Sequence, residues 1–158
     1  MRYPKEKTII TGSWIGTSLL LYLFVPKGKF RNAQIPFLFT QFLTWLLGLL
    51  VTEKKLIRYP VRIFKYASKN SFSFEYFILP ALTAMFNMRY PQSKGVLVKG
   101  LYYFVFTGSI SALEYYALKR TDLIKYNKWK WSWSFISLWI TFFLSRKYYV
   151  WFFKYAKK

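Results

Sequence analysis

Two carboxylates inside long apolar runs are the side chains of this sequence best placed to do chemistry. Glu114 follows Thr107 by seven residues and Ser111 by three, so one helix face would carry all three side chains. An ionisable group at membrane depth is costly and therefore indicates a functional role. The pattern predicts a polar site of Glu114, Ser111 and Thr107, with Glu75 as a second carboxylate, that binds and releases a proton or a cation.

A structural interpretation of Glu114 competes with this functional one. Lys119 and Arg120 follow it within about a turn and a half of helix, which predicts an ion pair at the membrane interface. We favour this interpretation, because the residue lies near the end of its apolar run.

Glu75 also has a structural explanation. It stands in the first turn of its apolar run, where unpaired backbone N–H groups and the helix dipole favour a carboxylate. A pair with Arg62 or Lys65 is a further alternative. Pro80, five residues on, cannot donate to the carbonyl of Tyr76, which therefore needs another donor.

The chain contains neither cysteine nor histidine, and only five acidic residues. Disulfides, Cys/His zinc sites, His-ligated haem and Cys–His or Ser–His nucleophiles are thereby excluded. A metal site would have to use two or more of the scattered acids. We therefore predict a protein that is not an enzyme and that holds no cofactor or metal.

Five apolar segments must position the two carboxylates, and most are close to the roughly 20 residues that a helix needs to cross a bilayer. The predicted spans are residues 8–25, 35–52, 72–88, 100–118 and 131–145, the last continuing through 150–153. No repeat, linker or strand-like alternation separates them. The sequence predicts an all-α fold, in which residues 1–158 form a single integral membrane domain, a polytopic transmembrane helical bundle.

A basic segment connects the second and third predicted spans. Lys or Arg recurs there at spacings of four, four, three and four residues, which on a helix gives one basic ridge, although Pro60 would bend or divide it. We predict a basic amphipathic segment that lies on an anionic membrane surface, with an ordinary topology-fixing loop as the alternative. The candidate contacts to anionic lipid are Lys54, Arg58, Arg62, Lys65 and Lys69.

The net charge of +20 is arranged for a membrane rather than for nucleic acid. The basic residues cluster at the ends of apolar runs, so membrane lipids with anionic headgroups are the predicted partners. Alternate segments, beginning with the N-terminus, hold 14 of the 25 basic residues. The positive-inside rule then predicts a multi-pass protein of the cell membrane with a cytoplasmic N-terminus.

Small residues mark two predicted helix contacts. Gly12 and Gly16 form a G-x-x-x-G pair, which indicates a homo-oligomer or a membrane-protein partner, unless they are simply the glycines common in membrane helices. Gln41, Thr44 and Gly48 form one stripe on the second span, which we interpret as interior packing rather than a pore lining.

Several motifs of the later part of the chain carry a resemblance to a known family. They are Arg58-Tyr59-Pro60-Val61-Arg62, Phe74-Glu75-Tyr76 with Pro80 downstream, Ser93-Lys94, Glu114, Thr121-Asp122-Leu123-Ile124-Lys125-Tyr126, and Trp129 with Trp131. Over residues 56–158 the chain resembles an uncharacterised family of small, basic, multi-spanning membrane proteins of spore-forming Gram-positive bacteria. That family usually has Asp in place of Glu75 and often Gly in place of Lys128. The resemblance implies a membrane location and singles out Arg62, Glu75 and Glu114, without implying an activity.

These features favour an integral membrane protein without catalytic machinery, acting as an assembly, partner-binding or lipid-organising subunit. The alternative is a small oligomeric transporter or channel that uses Glu114, with Glu75 as a second candidate. The break at Pro80 supports the alternative, because irregular backbone at membrane depth often lines a cavity. A lipid-modifying enzyme has the least support, since the chain lacks clustered acids and a nucleophile–base pair.

Overall fold

The computed structural model describes residues 3–64 and 66–155, and most of them are helical. Five α-helices follow one another in this part of the chain: α1 Pro4–Phe24, α2 Phe30–Glu53, α3 Leu79–Met88, α4 Val96–Arg120 and α5 Trp131–Tyr155. A 3₁₀ turn, Lys27–Lys29, precedes α2, and a π-helical segment, Phe74–Ile78, leads into α3. The predicted helical fold with five helices is confirmed for the described residues.

Successive helices run in opposite directions, so their connections gather at two ends of the bundle. The first end consists of residues 3–7, 54–73 and 121–130. The start of α1 meets the last residue of α4 there, because Lys5 Nζ donates a hydrogen bond to the carbonyl of Arg120 at 3.0 Å. The N-terminus and the second and fourth connections therefore lie together, as the alternation of predicted spans requires.

The second end consists of residues 25–29, 89–95 and 146–155. Arg89 follows α3, and its Nε donates to the carbonyl of Phe24 at the end of α1 at 2.8 Å. The first and third connections and the end of α5 therefore lie opposite the first end.

The described residues between α2 and residue 72 are not helical, so the expectation that the basic amphipathic segment forms a bent or divided helix is wrong. Ile57–Arg58 forms strand β1, which pairs antiparallel with strand β2, Lys125–Tyr126. The carbonyl of Leu56 next to β1 accepts hydrogen bonds from the N–H groups of Asn127 at 2.9 Å and Lys128 at 3.2 Å. The expectation that the chain contains no strands is also wrong, for these four residues.

Backbone restrictions explain why the regular basic spacing fails to make a helix. Pro60 has no N–H to donate and disfavours the helical conformation of Tyr59 before it. Lys55, just after α2, has a φ of 54°, a left-handed conformation that ends the helix. The chain therefore leaves α2 sharply and finds its backbone partners in the distant connection after α4.

One hydrophobic cluster of the core is built around the aromatic ring of Phe86. Phe86 of α3 is fully buried, and its ring centroid lies 4.8 to 5.3 Å from those of four rings on α4 and α5. Aromatic pairs at these separations contribute about 0.5–1.5 kcal/mol each beyond their buried area. The four rings are those of Tyr102, Tyr103, Phe106 and Phe142.

Polar side chains also join the helices in the interior. Thr83 of α3 donates to Thr40 Oγ1 of α2 at 2.9 Å, and Asn87 of α3 donates to Ser145 Oγ of α5 at 3.1 Å. All four residues are buried. The outward surfaces of α1, α2, α4 and α5, by contrast, expose many large apolar side chains, among them Leu19, Phe42, Leu101, Leu113 and Trp151.

Within the part of the chain that the structure describes, two helical stretches are long and apolar enough, by length and composition, to cross a membrane. They are Lys27–Glu53, which joins the 3₁₀ turn to α2, and Val96–Arg120, which is α4. They correspond to the second and fourth predicted spans.

Arg146 of α5 contacts the connection between α3 and α4. Its guanidinium lies 4.2 Å from the ring centroid of Tyr90, and it donates to Gln92 Oε1. We expect Arg146→Met to lower the free energy of unfolding by about 1–2 kcal/mol, because a partly desolvated cation–π contact is lost. Thermal unfolding in detergent measures the change. Lys94→Met, at an exposed position of the same end, is the control, and an equal loss in both variants would contradict the assignment.

Candidate functional site

Glu114 of α4 is held by neutral donors from two other elements. Its Oε1 accepts hydrogen bonds from the Tyr126 hydroxyl of β2 at 2.6 Å and from Ser134 Oγ of α5 at 2.9 Å. Among the described residues the carboxylate makes no ion pair with Lys119 or Arg120. The predicted interfacial ion pair is therefore wrong: Glu114 instead joins α4, the fourth connection and the start of α5.

Two tryptophans complete the contact with α4: Trp129, which lies just before α5, and Trp131, its first residue. Trp129 Nε1 donates to Ser134 Oγ at 2.8 Å, and Trp131 Nε1 donates to the carbonyl of Ser111 at 2.9 Å.

Burial, followed by the hydrogen bond to the Glu114 carboxylate, raises the pKa of Tyr126 above its ordinary value. The phenol of Tyr126 is therefore protonated near neutral pH and remains a donor to Glu114.

Thr107 and Ser111 share the face of α4 that carries Glu114, but their surroundings differ. Both residues are fully buried, and their hydroxyls have no hydrogen-bond partner among the described residues. A buried hydroxyl without a partner costs on the order of 1–3 kcal/mol. The predicted polar face is therefore present on one continuous helix, and of its three side chains only that of Glu114 is hydrogen-bonded to other described elements.

Glu75 is built into the contact between α2 and the π-helical segment. It is 5 % exposed, and its Oε2 accepts a hydrogen bond from Asn70 Nδ2. The backbone of Gly48 lies directly against its carboxyl group, with no space for a side chain at that position. Asn70 is thus a partner of the carboxylate that the sequence did not offer. Of the two offered, Arg62 donates to the carbonyl of Tyr59, and Lys65 lies outside the described residues.

Side chains of α2 satisfy the carbonyls that the π-helical segment and Pro80 leave free. Thr44 Oγ1 donates to the carbonyl of Glu75 at 2.7 Å, and Gln41 Nε2 donates to the carbonyl of Tyr76 at 3.1 Å. The expectation that the Tyr76 carbonyl needs another donor is confirmed. The stripe of Gln41, Thr44 and Gly48 is also confirmed as interior packing, because all three contact the same turn.

A cavity of about 390 Å³, here called the chain cavity, lies between α1 and α4 at the first end. Its walls are mainly apolar, with Ile10 and Ser13 contributed by α1. Arg62 and Glu114 are the two charged residues among those that line it, and Tyr59 is one of several neutral polar ones, whereas Glu75 does not line it. The two predicted carboxylates therefore belong to different surroundings.

Tyr59 stands near both carboxylates. Burial, followed by the negative charges of Glu75 and Glu114, raises the pKa of its phenol well above the ordinary value. Its hydroxyl is therefore neutral near pH 7 and offers the chain cavity a donor. Its carbonyl accepts a hydrogen bond from Arg62 Nη1 at 3.0 Å, which fixes the guanidinium beside the cavity.

The predicted lipid-contacting residues do not form one ridge. Lys54, Arg58 and Lys69 are exposed at the first end, and Lys69 Nζ lies 3.7 Å from Glu53. Arg62 alone is placed at the cavity. Lys65 lies outside the described residues.

Sequence reasoning missed the groups that hold the carboxylates. Ser134 lies 20 residues from Glu114 and looks like any serine of an apolar run. Tyr126 does stand in a motif that the sequence singled out, which was a usable signal. Within residues 3–64 and 66–155, no three acidic side chains come close enough together to hold a metal ion. The family resemblance of residues 56–158 stays a prediction.

Comparison with protein-family models, with curated proteins and with solved structures finds no match to this chain, so its function rests on the geometry of the site.

Proposed function

We propose that α1 to α5 cross the cell membrane as a polytopic bundle and that the protein is a lipid-binding subunit without catalytic machinery. The distribution of side chains supports the membrane location. A bundle in water covers its large apolar residues, whereas this one exposes them on four helices and places threonine, serine and asparagine between helices. Small and polar residues at helix contacts are typical of helix association in lipid.

The charge distribution supports a cytoplasmic first end. The N-terminus and the second and fourth connections belong to this end, and these alternate segments hold 14 of the 25 basic residues. Basic residues accumulate on the cytoplasmic side of membrane proteins. Five crossings then place the C-terminus on the opposite side.

The chain cavity is the observation that carries the lipid-binding function. Its volume of about 390 Å³ falls within the range of small-molecule sites, and its walls are mainly apolar. Tyr59, Arg62 and Glu114 are among the polar residues that line it at the first end, at the level where lipid headgroups would lie. An amphiphile with an apolar chain and a polar head matches this arrangement.

Filling the chain cavity should reduce lipid retention. Ser13 lines the cavity, so Ser13→Phe places a ring where a lipid chain would lie. We expect this variant to retain several-fold less co-purified lipid than the unaltered protein, as measured by native mass spectrometry after detergent purification. Ser18→Phe is the matched control, because Ser18 is exposed on the same helix and does not line the cavity. Equal retention by both variants, at equal thermal stability, would contradict the lipid-binding function.

A second candidate function is transport. Glu114 borders the chain cavity, and the unpartnered hydroxyls of Thr107 and Ser111 continue its face along α4. A carboxylate followed by buried hydroxyls could pass a proton or a cation, provided that water reaches them. Access of water to position 111 therefore separates transport from lipid binding.

The small-residue face of α1 supports association with another helix. A Cβ added at Gly12 or Gly16 would meet no atom within 4 Å. This face is therefore open within the single chain, and we include a homo-oligomer or a membrane-protein partner in the proposal.

A further inference from the structure

A second cavity, of about 410 Å³, lies between α1 and the connection after α2. We call it the head cavity. Three of the residues of α1 that line it have polar side chains, namely Lys7, Thr11 and Trp14. Arg62 contributes a guanidinium from the other side, and none of the seven lining residues is acidic. The head cavity thus carries two positive charges and an excess of hydrogen-bond donors.

Two of the polar side chains of the head cavity, those of Trp14 and Arg62, are held in place by neighbouring residues. The Trp14 ring stacks on Phe77 with centroids 4.4 Å apart, and its Nε1 is buried without a hydrogen-bond partner among the described residues. A hydrogen bond to the Tyr59 carbonyl holds the Arg62 guanidinium. An acceptor with negative charge would complete this set of donors, because charge-assisted hydrogen bonds to Lys and Arg are the strong ones.

The head cavity and the chain cavity are neighbours. Ile10, Val61, Arg62 and Ile63 line both of them. A molecule with a charged head and an apolar chain can therefore occupy the two together, with Arg62 at the junction. A free anion would occupy the head cavity and leave the apolar chain cavity without a role.

We propose that the head cavity binds the phosphate headgroup of an anionic phospholipid whose chain occupies the chain cavity. This inference rests on the proposed lipid-binding function and adds the chemical class of the lipid. It places the recognition in Lys7, Thr11, Trp14 and Arg62 rather than in the exposed cations of the first end. The position at the predicted cytoplasmic end agrees with the anionic lipid of that leaflet.

Binding of defined lipids tests the proposal. Native mass spectrometry would compare phosphatidylglycerol with phosphatidylcholine of the same acyl chains. The test variant is Lys7→Gln with Arg62→Gln, and the control is Lys54→Gln with Arg58→Gln, which removes the same charge from exposed positions of the same end. We expect the test variant to bind phosphatidylglycerol about tenfold to thirtyfold more weakly, since each cation contributes about 1 kcal/mol. The control should keep the preference for phosphatidylglycerol.

A single exposed change guards against misfolding of the double variant. Lys7 is exposed near the start of α1, so Lys7→Glu should fold normally and still weaken phosphatidylglycerol binding. Lys54→Glu, the control, should also fold normally but leave phosphatidylglycerol binding unchanged. Equal weakening in test and control would show non-specific attraction and overturn the proposal. Competition by inorganic phosphate at the concentration of the lipid would identify a free anion and overturn it as well.

The remaining outcomes separate this inference from the function on which it rests. If Ser13→Phe lowers lipid retention but phosphatidylglycerol and phosphatidylcholine bind alike, the headgroup assignment alone fails. If no lipid is retained by the unaltered protein, both fail.

Discussion

Gly48→Ala should lower the free energy of unfolding by about 1–3 kcal/mol, the usual cost of forcing extra atoms into a packed interior. A Cβ at position 48 would collide with three atoms of the Glu75 carboxyl group, which is buried and bonded to Asn70. Helix propensity acts in the opposite direction, since alanine within a helix is about 1 kcal/mol better than glycine. A net loss of stability therefore requires that the contact with Glu75 dominates.

Thermal or denaturant unfolding in detergent measures this loss. Gly12→Ala is the matched control, because an added Cβ there meets no atom within 4 Å. The control should be unchanged or more stable by up to about 1 kcal/mol. A stabilised Gly48→Ala variant would show that the close approach of α2 to Glu75 is absent.

A double-mutant cycle tests the contact itself. In a Glu75→Ala background the carboxyl group is gone, so Gly48→Ala should cost little. Residues in contact couple by about 0.5–3 kcal/mol, and we expect a value towards the upper part of that range. Strictly additive effects would mean that Gly48 and Glu75 do not touch.

The helices could be predicted from the sequence because uncharged runs fix where a helix must be apolar. The ends of the helices could not be predicted, because a run of uncharged residues marks only the apolar part of a helix, and the helix can extend beyond it. Pro4, Lys5 and Glu6 extend α1 at its start, where proline and an acidic residue are favourable. Lys119 and Arg120 extend α4, where basic residues interact well with the C-terminal dipole.

The conformation of the segment after α2 was predicted wrongly because its hydrogen-bond partners are distant in sequence. A spacing of about four between basic residues favours a helix locally, whereas Ile57 pairs with Tyr126, which no local pattern can reveal. Pro60 was the one residue of this segment whose type argued against a continuous helix. Once the strand pair forms, the cations are distributed over the first end, and among the described basic residues of this segment Arg62 is the one that lines both cavities.

The polar residues of the candidate site were predicted from the sequence, whereas their hydrogen-bond partners and the neighbouring cavity were not. The face of Thr107, Ser111 and Glu114 follows from helical periodicity and needs nothing else. The donors to Glu114 depend on how α5 packs on α4, so Ser134 carries no sequence signal. A cavity is a gap between helices and therefore cannot be read from the periodicity of any one of them.

A cysteine at position 111 should be inert to a membrane-impermeant thiol reagent added from either side of the membrane. Ser111 is fully buried in the described structure, and the chain has no cysteine of its own. Ser111→Cys preserves nearly the same volume, so the fold should persist. Exposed positions report the topology: Ala67→Cys at the first end and Ser93→Cys at the second should label from opposite sides, because α3 separates them.

The reactivity of each cysteine is measured by labelling in intact vesicles and again after unfolding in detergent. Position 111 should react only after unfolding, which would leave lipid binding as the function of the cavity next to Glu114. Reaction in folded protein would mean that water reaches the α4 face, and transport would then account for Thr107, Ser111 and Glu114 together. Labelling of Ala67→Cys and Ser93→Cys from the same side would contradict a membrane-crossing α3, and with it the five-span arrangement on which both functions depend.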